Sequence, residues 1–164
     1  MPGFPEELKV LGWREWAALP DLGIRRIKCK VDTGARTSTL HAFFVRRFVD
    51  QGQPRVCFGI HPLQRRMDME RTCTADLVDQ RMVCNSGGHR EKRYIIRTPI
   101  IIGDRRWPIE LTLTARDTMR FRMLLGRTAI HRRFLVNPAA SYLAGAPKLP
   151  DLTTEGPLPK DLRP

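Results

Sequence analysis

Ile27-Lys28-Cys29-Lys30-Val31 places apolar residues at every second position with lysines between them, the period of a half-buried strand, and runs directly into Asp32-Thr33-Gly34-Ala35-Arg36. An acid is thereby delivered into a tight turn at a strand end. Nearer the other end, Met123-Leu124-Leu125-Gly126-Arg127 is again an apolar run entering a glycine, here before a short helical stretch. Neither segment is specific alone, since Asp and Gly are ordinary turn formers. Their order and spacing make the pair informative.

Working outward, Leu8, Val10 and Leu11 open an edge strand, and Trp13 to Gly23 reads as a packed loop. A second strand is expected over Thr37 to Phe44, a turn at Asp50-Gln51-Gly52-Gln53-Pro54, and a strand over 55–60. His61 to Asp76 is polar and poorly patterned, a loop or short irregular strand. Leu77 to Cys84 and Glu91 to Ile102 form the arms of a hairpin with Asn85-Ser86-Gly87-Gly88-His89 at its tip. Ile109, Leu111 and Leu113 mark the clearest strand, and a loop, Ala115 to Arg120, leads into Phe121 to Leu125. Thr128 is placed to cap a helix of about two turns ending near Phe134, too short to stand without tertiary packing. Leu135-Val136 is a final strand. The expected organisation is one all-β, barrel-like domain over 1–137 with one short C-terminal helix, then a proline-rich tail over 138–164.

With 164 residues and 41% hydrophobic content, the chain can bury a core without metals or disulfides. Its four cysteines, Cys29, Cys57, Cys73 and Cys84, form no Cys-x-x-Cys pair and read as reduced thiols. The first seven residues lack the pattern of a secretory leader, and no apolar run reaches the length of a membrane span, so a cytoplasmic protein without membrane partners is expected. Twenty-nine Lys and Arg against seventeen Asp and Glu give a formal charge of +12, which favours an anionic partner. The basic residues occur as dispersed pairs with no interleaved aromatic run along the sequence, so nucleic-acid binding is a secondary reading.

The chemistry suited to a lone Asp-Thr-Gly turn needs two carboxylates close enough to share a proton, one to activate water and one to polarise a carbonyl. One copy per chain suffices if two identical chains meet on a twofold axis, each lending Asp32. In that arrangement Gly34 permits the close approach, Thr33 can bond across the axis, and Ala35 leaves room beside a substrate. Leu11 to Trp16, Leu19 to Ile24, Lys30 to Ser38, Leu40 to Ala42, Leu111 to Thr114 and Met123 to Arg127 together resemble the bacterial retropepsin-like proteins labelled ATP-dependent zinc proteases, over Val10 to Pro138. The resemblance implies a retropepsin fold, a homodimer, Asp32 as the catalytic aspartate, and a flap at residues 85–89 whose Ser86, Gly87 and Gly88 would cover substrate. Genes of this family commonly lie beside an ATP-grasp ligase that adds glutamates to a ribosomal protein, which implies a link to acidic peptides and to the ribosome.

The chain departs from the retroviral pattern at Arg36, where an acid would pair with the arginine of the apolar-Gly-Arg motif. Arg127 is therefore expected to find another acid, Asp117 or Glu110, and Arg36, with Ala35 and Thr37, becomes available to substrate. Neither a phosphate-binding Gly-Lys-Ser/Thr loop nor a His-Glu-x-x-His pair supports the words ATP and zinc, and no cofactor or metal is expected from His41, His61, His89, His131 and the cysteines. The expected activity is aspartic endopeptidase action on acidic, glutamate-rich peptides. The alternative is a catalytically silent basic dimer that binds an acidic tail, a ribosome or RNA.

Overall fold

The computed structural model describes residues 8–63, 70–84, 87–116 and 120–150. In chain order the strands are β1 (Lys9–Leu11), β2 (Arg14–Leu19), β3 (Ile24–Asp32), β4 (Ser38–His41), β5 (Phe44–Asp50), β6 (Gln53–Ile60), β7 (Arg71–Asp76), β8 (Asp79–Cys84), β9 (Arg90–Ile102), β10 (Arg105–Thr114), β11 (Met123–Gly126) and β12 (Phe134–Val136), with a helix α1 (Arg127–Ile130) between the last two. Six strands close into a barrel in the order β10-β4-β11-β3-β2-β9, because β9 pairs back onto β10 along nine residue pairs. Closure leaves these strands no free edge. β8 hangs from β9 outside the ring, and β5-β6-β7 form a separate antiparallel sheet.

The alternation read along β3 holds in space: Ile27 and Cys29 are fully buried and Arg25, Arg26 and Lys30 are exposed. The core they enter is filled by Leu19, Leu40, Phe58, Ile96, Ile100, Leu111 and Leu125. Burial, reinforced by the Glu15 carboxylate across the β2–β3 ladder, pushes the Cys29 thiol up to about 12, so it stays protonated and inert.

Several elements differ from expectation. Trp13 to Gly23 contains β2, whose alternation is masked by Glu15, an acid that is completely buried. Its Oε2 accepts from the Gly12 and Leu143 amides at 2.6 and 3.0 Å, and its Oε1 from the Ala144 amide at 3.1 Å. A carboxylate can be buried when its lone pairs are met in this way. The expected strand Thr37 to Phe44 is broken at Ala42-Phe43 into β4 and β5, because His41 and Ala42 donate to Arg122 and Thr114 while the chain leaves the barrel. β5 then continues through Arg46-Arg47, so the turn narrows to Gln51-Gly52, both at positive φ. β7 lies inside the stretch read as unpatterned. The helix covers only Arg127–Ile130, with Gly126 rather than Thr128 at its N-cap.

Beyond β12 the chain is bound back onto the barrel. Trp13 donates to the Ala140 carbonyl at 2.8 Å and Lys148 to that of Gly103 at 2.7 Å. Arg26 stacks over Trp16, Trp16 on Tyr142, and Arg14 sits between Tyr142 and Trp13. The fold thus assembles the interleaving of cations and aromatics that the linear sequence lacks, and uses it internally to hold residue 142. Among the described residues no helix is long and apolar enough to cross a membrane, which says nothing of spanning by strands.

Candidate active site

β3 ends at Asp32, and β11 runs parallel beside it with Gly126 in register with Asp32. The turn that follows is organised by the carboxylate itself: Oδ1 accepts from the amides of Gly34 and Ala35 at 3.1 and 3.2 Å. Among the described residues Oδ2 has no hydrogen-bond partner. Asp32 is half-buried, and Thr33 and Gly34 are exposed beside it. A side chain at residue 34 would place its Cβ 3.3 Å from Asp32 Oδ1, so glycine keeps the approach to the carboxylate open.

The second motif fastens the turn from behind. Arg127 and Thr128 donate backbone amides to the carbonyls of Ala35 and Arg36 at 2.8 and 3.2 Å, and Thr128 Oγ1 adds a 2.7 Å bond to the latter. Gly126 donates to Ser38 Oγ at 3.0 Å, and a Cβ there would stand 2.6 Å from the Thr37 carbonyl carbon. Only glycine lets the two backbones pack this closely. Arg127, expected to find Asp117 or Glu110, instead donates Nη1 to the Gly34 carbonyl at 3.1 Å. Glu110 lines a different cleft from Arg127, whose acceptor among the described residues is this neutral carbonyl on the turn after Asp32; Asp117 lies outside the described residues.

Thr33 is exposed and lines an opening of about 330 Å³ with Arg127, Thr128, Ile130 and His131. Ala35 and Thr37 are half-buried within the turn, and the Arg36 side chain is exposed. Arg36 lines a second cleft, of about 300 Å³, with Arg81, Arg97 and Glu110. Arg81 and Arg97 escaped the sequence reading, because nothing in the linear order joins them to residue 36. Gly87 and Gly88 lie in the β8–β9 connection, Gly88 at φ +80°, while Asn85 and Ser86 are outside the described residues.

His41 is placed far from Asp32 in the ladder, at the opposite end of β4 from Ser38, with Nδ1 2.6 Å from Thr114 Oγ1. Burial, then the charges of Arg116, Arg93 and Arg122, lower its pKa from 6.5 to about 4. Among the described residues no three of His, Cys, Asp and Glu converge as metal ligands do.

The pattern of the RimB-like family, described as "Retropepsin-like aspartic endopeptidase RimB", matches residues 10–147. The chain belongs to this family. RimB-like residues 10–147 contain both β3 with its Asp-Thr-Gly turn and the β11–α1 buttress. A protein of Shewanella pealeana named "Probable alpha-L-glutamate ligase" is 45% identical over 136 residues, and one of the same name from Desulfotalea psychrophila is 42% identical over 137. These matches cover 83% and 84% of this chain but 30% of each relative, so the RimB-like chain spans less than a third of their length. A crystal structure of a Legionella pneumophila protein of unknown function superposes with a TM-score of 0.68 at 25% identity, covering 84% of this chain and 99% of that one.

Proposed function

We propose that the chain is an aspartic endopeptidase whose active site forms when two copies bring their Asp32 carboxylates together. The observation that carries this reading is the Asp32 geometry: Oδ1 is engaged by two backbone amides, while Oδ2 is left for water or for the second carboxylate. Two carboxylates about 3 Å apart cannot both ionise, so the pair holds one proton. The ionised member takes a proton from water as it attacks the peptide carbonyl, and the protonated member hydrogen-bonds the carbonyl oxygen and stabilises the developing charge. The new amine leaves after receiving a proton from the pair.

Acidic peptides are the proposed substrates. The formal charge of +12, the basic cleft beside Arg36, and the relatives whose name specifies glutamate ligation all support this choice. A product of ligation, a chain of α-linked glutamates, is a peptide that such a site would cut. The test is Asp32→Asn, which preserves shape and acceptor but removes the ionisable group. Cleavage of a glutamate-rich peptide is expected to fall by a factor of about a thousand or more while circular dichroism is unchanged. Wild-type turnover by the Asn variant would refute the assignment.

A further inference from the structure

Arg36, Arg81 and Arg97 come from three parts of the chain, the turn after Asp32, β8 and β9, and they meet in the cleft of about 300 Å³. Among the described residues Glu110 on β10 is the one acid lining it, directly opposite Arg97 in the β9–β10 register. With Arg81 paired to Asp79, three guanidiniums against two carboxylates leave a surplus of one positive charge, on Arg36 and Arg97 facing Glu110. Among the described residues neither Arg36 nor Arg97 has an ion-pair partner, and Glu110 pairs with none of the three arginines. Arg81 Nε donates to Asp79 at 3.2 Å, which orients the guanidinium while leaving its terminal nitrogens for another acceptor. The Arg36 backbone is fixed by the two bonds from Thr128 described above. Ile109 and Ala129, both buried, line the same cleft.

We propose that this cleft is a carboxylate subsite, which takes the side chain of a glutamate or aspartate of the bound peptide at a position removed from the scissile bond. Its placement rests on the reading of Asp32 as the catalytic group; its chemistry rests on the arginines alone. A guanidinium presents two parallel N–H groups that match the two oxygens of a carboxylate, so Arg36 and Arg97 can each hold one bidentately. In an extended peptide alternate side chains point the same way, so one carboxylate in the cleft leaves its two neighbours facing elsewhere. The bound carboxylate also joins β8, through Arg81, to the turn that carries Asp32. Glu110 opposes the guest by like-charge repulsion and sets an upper limit on its affinity.

The experiment uses the full chain carrying Asp32→Asn, so that peptide binds without being cut, and reads fluorescence anisotropy with a labelled hexaglutamate. A second labelled peptide has every glutamate replaced by glutamine. Arg36→Gln and Arg97→Gln are each expected to weaken hexaglutamate binding about tenfold or more, with the hexaglutamine peptide affected less. Arg97→Lys, which keeps the charge and loses the fork, should fall between, and Glu110→Gln should tighten binding. All three positions are exposed and line the cleft, and circular dichroism reports whether each variant folds. Unchanged affinity in both arginine-to-glutamine variants, or equal losses for the two peptides, would overturn the subsite. The two readings fail separately: arginine-dependent binding by a wild-type protein that cuts no peptide keeps the subsite and sinks the peptidase, while cleavage indifferent to these arginines does the reverse.

Discussion

At the scale of single residues, two positions carry the geometry of the site. Gly126 lets β11 lie against the backbone of Thr37, and this contact together with the Ser38 hydroxyl sets where the turn after Asp32 begins. The sequence announced both Asp32 and Gly126, because glycine at a close backbone approach and acid at a strand end are local patterns. It did not announce Glu15. A glutamate surrounded by tryptophans and an arginine reads as surface, and only the fold shows it fully buried, with the nearby Gly12 amide and those of the distant Leu143 and Ala144 converging on it. Glu15→Gln keeps the volume but sets an NH2 group where an amide hydrogen must be accepted. A buried donor left without an acceptor costs about 1–3 kcal/mol, and bonds to a charged acceptor are the stronger kind. The variant is therefore expected to lose roughly 2–3 kcal/mol in urea unfolding. A loss under about 0.5 kcal/mol would show that the carboxylate does not tie residues 143 and 144 to β2.

At the scale of elements, strands with strict alternation, β3 and β10, were legible with small boundary errors, since period-two burial needs only nearby residues. β5 was not, because Arg46 and Arg47 are both exposed and break its alternation, and β7 was not, because it alternates in burial while Cys73 is its one buried side chain, between exposed Thr72 and Thr74. The helix stops after one turn because His131 leaves helical geometry and Arg132 adopts φ +63°, while the Arg127 and Thr128 amides, which have no acceptor within the helix, go to Ala35 and Arg36. The subsite arginines were unreadable for a topological reason, since β8, β9 and the Asp32 turn meet only when the barrel closes. The end of β4 supplies a pH prediction. His41 titrates near 6.5 when unfolded and at about 4 in the fold, so between these values the unfolded chain binds a proton that the folded chain refuses. Stability is expected to fall as pH drops from 6.5 to 4, by on the order of 3 kcal/mol, and to stop responding to this group below 4. In His41→Asn the slope of unfolding free energy against pH should shrink across that window. An unchanged slope would mean that His41 titrates alike in the folded and unfolded chain.

At the scale of the whole molecule, the proposed dyad makes one Asp32 per 18.9 kDa chain half of a site, and the surface offers a candidate contact for a second copy. β1 and β12 form a two-stranded parallel sheet apart from the barrel, with Val10 opposite Leu135. Both are substantially exposed, at 43% and 55%, and Leu8 beside them at 40%. Three large apolar side chains at one two-stranded sheet are a poor surface for a monomer and a suitable one for association, since the hydrophobic gain scales with apolar area removed from water. The formal charge of +12 works against self-association at low ionic strength, so the dimer should strengthen as salt screens that repulsion. Sedimentation at micromolar concentration and moderate salt is expected to give about twice the chain mass. Leu135→Lys, which sets like charges against each other across a twofold axis, should return the protein to a monomer and remove cleavage with Asp32 intact. A strict monomer that still cuts peptides would refute the shared dyad. A dimer unaffected by Leu135→Lys would place the contact on another face, with Thr33 and the exposed residues around the catalytic turn the next to test.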